Sequence, residues 1–526
     1  MTATEILRRN KAFLTFGLLA IIISGLVVRP TAPIDVSYPV ITLPDGRAFN
    51  TAAYPHLDTV QIGLYNWFRD LILNLDTEDF TGIPSIFTQY ILAFSVDAMA
   101  TLFETTPGYR TDYYRAWQEQ MIAKMNSSWM EEHEWNMMGF NNVTQWGQTA
   151  GYRGPGNIMW TGHYAMMMAL YERFFRTGKY STELQSYLNQ FNHTMTYDMA
   201  GYLHTGGFWN CGMIVCEPYI VFVQCNTIPQ WTMHMTDAMW NTTYSAAYEY
   251  GVNWLTQNMV DDHGCFIDGY FVIELPPEWH AMTTTYGGIG PAMLEPPVNH
   301  TAENSYGVGW ALMLFDSYEP SITNQMYDDY VASYVRHMYP DYAYLSAAYS
   351  YPGKFGTSDI LADMFGLTCT KEVGDWALHR KLMNFVYDPW PIRWNGYSCY
   401  FDSSALPMGL GTMLVMVNNG FYVWASTPVL MKDLAKPRPP SFFNLPHISS
   451  TTGNGLFVHQ ATYDETNHVF VLTANVHESA TLTFSNFPSV QGIQSATGPI
   501  PAAWWSQNGS QMTLELPPGV WNLVMY

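Results

Sequence analysis

At 526 residues the chain is long enough for one large domain and a smaller one. Its net charge of −22 argues against nucleic-acid binding, which needs a basic surface, so no nucleic-acid partner is predicted. Only 13% of the residues are charged and 16% are aromatic, so the chain can bury a large core or line an apolar pocket.

The N-terminal segment predicts export. Residues 13–28 carry no charge and follow Arg8, Arg9 and Lys11, which is the layout of a signal-anchor or a secretory signal peptide. We expect a single-span membrane anchor that leaves residues 1–12 in the cytoplasm and the rest in the secretory lumen or outside the cell. Cleavage of the segment, the alternative, gives a secreted protein.

Sequons agree with export. Asn-x-Ser/Thr triplets begin at Asn126, Asn142, Asn192, Asn241, Asn299 and Asn508. Their spread along the chain predicts a glycoprotein.

Residues 29–50 are Pro-rich and are predicted to be an irregular tether. Apolar residues then recur at spacings of three and four, which is typical of amphipathic helices. Helices are predicted over residues 58–76, 85–105, 109–126, 157–177, 181–195, 243–259, 306–316, 324–337, 358–365, 373–386 and 406–417. The long segment 130–156 is predicted to be a functional loop. This succession suits a toroid of paired helices over residues 51–435.

The pattern changes after residue 435. Residues 436–446 form a Pro-rich linker, and residues 447–526 alternate apolar and polar residues in short runs. Asn508-Gly509 punctuates these runs as a turn. The predicted fold class is therefore mainly α, followed by a small antiparallel β domain that resembles a sandwich.

Two cysteines nine residues apart lie in an unusual segment. Glu217 follows Cys216, Asn226 follows Cys225, and the apolar run 220–223 lies between them. Core packing alone would not select two thiols, an acid and an amide here. We expect a helix to begin near Glu217 and to pass Cys225. Nine residues of helix rise about 13.5 Å, beyond the roughly 7 Å Cα limit of a disulfide.

A second stretch, residues 157–163, ends in His163 and supplies an imidazole. Thiols have a pKa near 8.5 and imidazoles near 6.5, so both suit proton transfer around neutral pH. We interpret Cys216, Cys225 and His163 as facing each other across an apolar cavity. An even number of cysteines in an exported chain also allows disulfides. The alternative pairs are Cys216 with Cys225, Cys211 with Cys265, and Cys369 with Cys399.

These motifs resemble those of the linalool dehydratase/isomerases. Cys-Glu-Pro at 216–218, six further residues and Cys-Asn at 225–226 keep the family's spacing, and Asn-Ile-Met-x-x-Gly-His at 157–163 matches as well. Residues 89–94 resemble the family's Tyr-containing helix, and residues 305–310 resemble a later aromatic pair. The resemblance covers about the first two-thirds of the region after the anchor and leaves the β domain out.

The resemblance implies an (α/α)6 barrel that dehydrates or isomerises an allylic terpene alcohol, or a related cyclase, without a cofactor. A small apolar molecule is the implied substrate, no metal is predicted, and a homo-oligomer is open because family members oligomerise. The implied catalytic residues are Cys216, Cys225, His163, Tyr90 and Asp70. The implied substrate contacts are Met159, Glu217, Asn226, Tyr306, Trp310 and Asp76. Asp76 is a departure, because the family has Tyr six residues after the aspartate that Asp70 matches best.

Two other functions fit the sequence. A toroid followed by a β domain is common among carbohydrate-active glycosidases and lyases, and the many Trp and Tyr residues could stack on sugars. Such an enzyme needs a pair of carboxylates in a cleft. Its candidates are Asp70, Asp76, Glu217 and Glu303. The other alternative is a non-catalytic lumenal interaction protein held together by disulfides.

Overall fold

The structure, a computed structural model, describes residues 36–74, 88–130, 144–145, 148–149, 158–196, 212–214, 216, 220–267, 269–271, 304–346, 360–402, 411–453 and 455–526. In this part of the chain, twelve helices of eleven or more residues and one short helix precede a C-terminal β domain; the twelve longer ones form the barrel. They are α1 (Thr59–Asn74), α2 (Thr88–Thr105), α3 (Asp112–Met125), α4 (Ile158–Phe175), α5 (Ser181–Thr196), α6 (Val223–Trp240), α7 (Tyr248–Asn258), α8 (Ser305–Tyr318), α9 (Pro320–Tyr334), α10 (Ile360–Val373), α11 (Trp376–Tyr387) and α12 (Gly411–Ser426).

The even-numbered helices form a closed inner ring. Going round it, α2 packs against α4, α4 against α6, α6 against α8, α8 against α10 and α10 against α12, and α12 returns to α2. Every residue of α4 from Ile158 to Phe174 is buried, as expected of a helix enclosed on all sides. The odd-numbered helices lie outside and bury one stripe only; in α5 that stripe includes Leu184, Leu188 and Phe191. The (α/α)6 barrel prediction is confirmed.

Neighbouring helices of the inner ring run in the same direction. Phe94 of α2 contacts Phe421 of α12, with ring centroids 5.5 Å apart. Thr101, seven residues after Phe94, accepts a 2.8 Å hydrogen bond from the hydroxyl of Thr427, which is six residues after Phe421. Contacts that advance together on both helices require parallel axes.

Two glycines let α8 and α10 approach each other closely. A β-carbon at Gly309 of α8 would lie 2.6 Å from the Tyr330 hydroxyl oxygen, and one at Gly366 of α10 would collide with Leu345 and lie 3.4 Å from the same hydroxyl. Tyr330 comes from the outer helix α9 and is fully buried. Its side chain therefore fills the space that larger residues on the two inner helices would need.

A polar segment covers the C-terminal ends of the inner helices. This segment, residues 431–438, includes the short helix α13 (Met431–Leu434). Arg173 of α4 donates to the carbonyl oxygens of Asp433 and Lys436, and Glu372 of α10 accepts from the Met431 amide. Burial raises the pKa of Glu372 to about 7. These bonds tie the segment to the bottom of the barrel.

Short strand pairs lie between the helices. They are β3 (Thr144–Gln145) with β4 (Gln148–Thr149), β5 (Ile220–Phe222) with β6 (Gly269–Phe271), β7 (Val335–Met338) with β8 (Tyr342–Leu345), and β9 (Ile392–Asn395) with β10 (Ser398–Phe401). The prediction that a helix continues to residue 337 is wrong, because α9 ends at Tyr334 and its chain turns into β7.

The C-terminal domain is a sandwich of two antiparallel sheets. Its strands are β11 (His447–Thr452), β12 (Leu456–Asp464), β13 (Val469–Val476), β14 (Ala480–Ser485), β15 (Ile493–Ser495), β16 (Gly498–Pro499), β17 (Trp505–Asn508), β18 (Gln511–Leu516) and β19 (Gly519–Met525). One sheet has the order β11-β14-β18-β17 and the other β12-β13-β19-β15-β16. Phe470, Leu482, Phe484 and Leu514 are among the residues between them.

Residues 40–50, which the sequence placed in an irregular tether, form an antiparallel pair instead. Strands β1 (Val40–Thr42) and β2 (Ala48–Asn50) are joined by a tight turn. Ile41 and Phe49 pack with Val469 and Val471 of the β domain. Strands of three residues are too short for an alternation of apolar and polar residues to be recognised in the sequence, so these two are identified only by their tertiary contacts.

The membrane anchor predicted at residues 13–28 lies outside the described residues. Among the helices of the described ranges, none is long and apolar enough to cross a membrane.

Replacing Gly309 tests the close packing of α8 and α10. Gly309→Ala places a β-carbon against the Tyr330 hydroxyl, and we expect it to lower the free energy of unfolding by about 1–3 kcal/mol. Gly420→Ala is the matched control, since its β-carbon would find its nearest neighbour at 3.7 Å. Removing a helical glycine there should stabilise by about 0.5–1 kcal/mol. Denaturant unfolding measures both; equal effects at the two positions would contradict the packing argument.

Candidate active site

Six rings of described residues meet inside the inner ring. They are Tyr90 and Phe94 of α2, His163 of α4, Trp310 of α8, Phe365 of α10 and Phe421 of α12, and we call them the ring cluster. Phe94 is its centre, with centroid distances of 5.4 Å to His163, 5.3 Å to Trp310, 5.3 Å to Phe365 and 5.5 Å to Phe421. All four contacts are edge-to-face, the arrangement that the aromatic quadrupole favours.

Trp310 stacks on two members of the cluster. Its ring lies parallel to Phe365, at 4.8 Å and 3° between planes, and stacks on His163 at 5.6 Å. Trp310 directly follows Gly309, and Phe365 directly precedes Gly366, so the close approach of α8 and α10 brings these two rings together. The sequence prediction placed Trp310 and His163 in one site, and the structure does bring them together.

His163 is a buried imidazole without a polar neighbour. Its side chain is 1% exposed, and neither ring nitrogen has a hydrogen-bond partner among the described residues. Burial lowers the pKa of His163 from 6.5 to about 3, because the charged form would lose its hydration. The imidazole is therefore neutral at physiological pH, with one nitrogen able to accept and the other able to donate.

Tyr90 lies at the edge of the ring cluster nearest the N-terminus of α2. Its ring is 5.6 Å from His163 and 5.7 Å from Phe94 by centroids. Met159, also buried, lies one helical turn before His163 and on the same face of α4. Tyr306 has the same relation to Trp310 on α8. All of these side chains come from the N-terminal halves of the inner helices, so the candidate site lies towards that end of the barrel.

The two cysteines do not lie on one helix. Residues 220–222 form strand β5, and α6 begins at Val223, so Cys225 lies in the first turn and Cys216 precedes the strand. The predicted helix from Glu217 is therefore wrong. Isoleucine, valine and phenylalanine favour a strand, and here they pair with β6. The separation deduced from helical rise no longer applies.

Asn226 holds the two cysteine segments side by side. Its side-chain oxygen accepts from the Ile214 amide at 2.9 Å, and its side-chain nitrogen donates to the carbonyl oxygens of Ile214 at 2.8 Å and Phe222 at 3.0 Å. The amide is fully buried. Asn226 was predicted to contact substrate, but the structure gives it three hydrogen bonds to two residues, Ile214 and Phe222. Cys216 lies two residues after Ile214.

Cys225 lies on the side of α6 that faces α4. Pro229, one turn later, approaches Gly162, whose β-carbon would lie 3.4 Å from the proline ring. Gly162 is the residue before His163. Pro229 also has no N–H to bond the Cys225 carbonyl, as helical geometry would otherwise require. Cys225 thus lies on the face of α6 that packs against α4, the helix that carries His163.

No disulfide joins any two of the described cysteines, Cys216, Cys225, Cys265, Cys369 and Cys399. Both Cys216 and Cys225 are buried. The predicted alternatives Cys216–Cys225 and Cys369–Cys399 are therefore not formed, and Cys211 lies outside the described residues.

Asp70 is the predicted catalytic residue that the structure places elsewhere. It lies on the outer helix α1, its side chain is 50% exposed, and it pairs with Arg69 at 2.9 Å. Its other oxygen accepts from Ser398 at 3.0 Å. The structure thus corrects the catalytic prediction: Asp70 belongs to the surface of the outer layer, because the apolar stripe of α1 turns the opposite face inwards.

The remaining predicted residues fall into two groups. Asp76, Glu217, Glu303, Asn142 and Asn299 lie outside the described residues. Of the other sequon asparagines, Asn241 and Asn508 are exposed, and Asn126 and Asn192 are partly exposed. The carboxylate pair of the carbohydrate-active alternative therefore has only Asp70 among the described residues.

The family model for linalool dehydratase/isomerase matches residues 89–405. The chain belongs to the linalool dehydratase/isomerase family. The match begins at α2 and includes Tyr90, His163, both cysteines of the motif and Trp310. It ends before α12, so Phe421 and the β domain lie beyond the part of the chain that the family defines.

Solved structures show a more distant likeness. The α-1,6-mannanase GH76A from Salegentibacter sp. HEL1_6 is 11% identical with a TM-score of 0.39, over 69% of this chain and 99% of that one. An inactive variant of the same mannanase in complex with α-1,6-mannotetrose is also 11% identical, with a TM-score of 0.33, over 66% and 89% of the two chains. Likeness this low carries no argument about the substrate of this family member.

Sequence reasoning missed several residues of the barrel interior. Phe365 and Phe421 lie in none of the motifs that resemble the family, and Phe94, the last residue of the stretch 89–94, was given no role. The spacing of Phe94 from Tyr90, four residues, places both on one face of α2. Asp97, three residues after Phe94, extends that face and is 3% exposed. Burial alone raises the pKa of Asp97 well above its ordinary value. No charge from a described residue offsets this burial.

Because Asp97 is buried, we expect the free energy of unfolding of this protein to fall as the pH rises. Above about pH 4 the unfolded chain releases the Asp97 proton while the folded chain retains it, so rising pH favours unfolding. Asp97→Asn removes this penalty. We expect the variant to match the wild type near pH 3.5 and to be more stable by about 1–3 kcal/mol at pH 7, in denaturant titrations. Asp70→Asn, at the exposed pair, should change stability by less than about 1 kcal/mol. A lower stability of Asp97→Asn at pH 7 would contradict the assignment.

Proposed function

We propose that this chain is a cofactor-free hydro-lyase or isomerase acting on an apolar allylic alcohol, with linalool as the first candidate; a related cyclase would use the same chemistry. One observation carries the proposal. His163 is a neutral imidazole whose nitrogens have no partner among the described residues, and it is enclosed by aromatic rings. Since no described residue bonds these nitrogens, a bound molecule with an oxygen or a transferable proton is a suitable hydrogen-bond partner for them.

The reaction needs two proton transfers and a cationic centre between them. In dehydration the C–O bond breaks and the hydroxyl leaves as water with a proton from an acid, while a neighbouring carbon gives a proton to a base. In isomerisation water returns to the far end of the allylic system, so no atom is gained or lost. Aromatic faces that line the site can stabilise the positive charge.

We assign the proton transfers to Cys216, Cys225 and His163. The thiols belong to segments that Asn226 holds together, and Cys225 starts beside the helix that carries His163. Neutral His163 accepts a proton or a hydrogen bond, and the Tyr90 hydroxyl orients the substrate oxygen. Each general acid or base contributes about 10²–10⁴-fold in rate.

Variants of the three proton-transfer residues test the function. Purified protein is incubated with linalool, and the hydrocarbon and rearranged alcohol products are quantified by gas chromatography. We expect Cys216→Ala, Cys225→Ala and His163→Phe each to lower kcat by about 10²-fold or more.

Two controls accompany those variants. Cys399→Ala removes a buried thiol that bonds the Val60 carbonyl far from the ring cluster, and Asp70→Asn changes a surface ion pair. Both should retain the wild-type kcat. Retention of full activity by both Cys216→Ala and Cys225→Ala would refute the thiol mechanism, and loss of activity in Asp70→Asn would restore that residue to the site.

The pH profile tests the state of His163. With a pKa of about 3, the imidazole remains neutral from pH 5 to pH 8, so its titration should add no inflection to kcat/KM in that range. The comparison is between wild-type protein and His163→Gln, which is neutral at every pH. An inflection near pH 6.5 in the wild type that is absent from His163→Gln would show that the histidine titrates with an ordinary pKa.

A further inference from the structure

Asn418 of α12 is a buried amide without a hydrogen-bond partner. Its side chain is fully buried, and neither the amide oxygen nor the amide nitrogen bonds any described residue. Its backbone carbonyl accepts a hydrogen bond from the Tyr387 hydroxyl at 2.9 Å. A buried amide that bonds nothing destabilises a protein, so its retention needs an explanation.

The helix geometry places Asn418 on the inward side of α12. Phe421, which contacts Phe94 and Phe365, is the residue three positions later and therefore lies on the same face. Gly420 lies about 100° away from Phe421 and faces Ser95 and Phe68 instead. Asn418 lies about 160° round the helix from Gly420, so its side chain is turned away from α1 and from Ser95 of α2, towards the part of the barrel interior beside α10.

Asn418 also lies at the level of Tyr90. Because α2 and α12 run parallel, one turn back from Phe94 and one turn back from Phe421 reach the same height in the barrel. Those positions are Tyr90 and Asn418. Tyr90 contacts His163 on the other side of α2. The amide and the imidazole are thus carried by α12 and α4, the two neighbours of α2 in the inner ring, at a similar level of the barrel.

The neighbouring asparagine, Asn419, has a structural role that Asn418 lacks among the described residues. Asn419 accepts from the Phe401 amide at 2.7 Å and donates to the Phe401 carbonyl at 3.3 Å, which fixes strand β10 to the helix. Its amide is satisfied by the protein. Asn418, one residue earlier, has no such role among the described residues.

We propose that Asn418 binds the oxygen of the substrate, together with His163. This proposal rests on the proposed site but not on its chemistry. The ligand class is an apolar molecule with one hydroxyl or carbonyl oxygen: the amide N–H donates to that oxygen, and the amide carbonyl accepts from a hydroxyl. Asn418 lies outside the part of the chain that the family match covers, so it supplies a polar contact beyond the family's motifs.

Binding of a matched pair of molecules tests this proposal without turnover. The probes are linalool and citronellene, the hydrocarbon with the same skeleton and no hydroxyl, titrated by quenching of tryptophan fluorescence. The wild type should prefer linalool. Asn418→Leu, similar in volume, should bind linalool about three- to tenfold more weakly and citronellene equally well or better. Its thermal unfolding midpoint should equal or exceed that of the wild type, since an unsatisfied amide is removed.

Asn419→Leu is the matched control. It should lower the unfolding midpoint, because two backbone hydrogen bonds are lost, and it should keep the wild-type preference for linalool. A wild type that does not prefer linalool to citronellene overturns the proposal. So does an Asn418→Leu variant that keeps the preference, unfolds at lower temperature or does not fold. If the wild type prefers linalool and Asn418→Leu loses this preference, the proposal is supported even if the protein does not convert linalool. The binding role of Asn418 and the proposed reaction can therefore be refuted independently.

Discussion

The close approach of α8 and α10 is the constraint on which the barrel interior depends. Gly309 and Gly366 leave room for the Tyr330 hydroxyl from the outer layer, and the residues beside them, Trp310 and Phe365, stack as a consequence. Phe94 then meets both rings edge-on. A wider spacing of these helices would separate the stack and open the enclosure around His163. Two missing β-carbons thus determine the apolar surroundings of the imidazole.

Polar side chains of the inner helices divide into two kinds. Asn226, Asp363 and Asn419 each bond the backbone of a segment that leads towards an inner helix, at Ile214, Leu345 and Phe401 respectively. These bonds satisfy buried groups and fasten irregular chain to the barrel. His163 and Asn418 are equally buried but bond no described residue through their side chains. Ser95 and Trp231 of the inner helices also have no partner among the described residues, so the contrast selects candidates for the site and does not by itself define it.

Much of the helical layer could be predicted from the sequence. Apolar spacing predicted most helices to within a few residues, and the motif around Cys216 and His163 led to the barrel and its family. The run at 220–222 was assigned to a helix because short apolar segments do not distinguish strand from helix, and its partner β6 lies almost fifty residues away. Asp70 was misplaced because the outward face of an outer helix depends on which neighbours pack against it. Asn418 was missed because the last barrel helix was predicted to end at residue 417, whereas α12 continues to Ser426.

The polar segment at residues 431–438 has a consequence for the direction in which a substrate would lie. It bonds the C-terminal ends of α4 and α10 through Arg173 and Glu372, so among the described residues this end of the barrel is covered. Tyr90 and His163 lie in the N-terminal halves of their helices, towards the other end. For the proposed reaction, a substrate whose oxygen bonds there would point its hydrocarbon tail towards the covered floor. The depth of the barrel between these residues and the floor would then set an upper limit on the length of that tail.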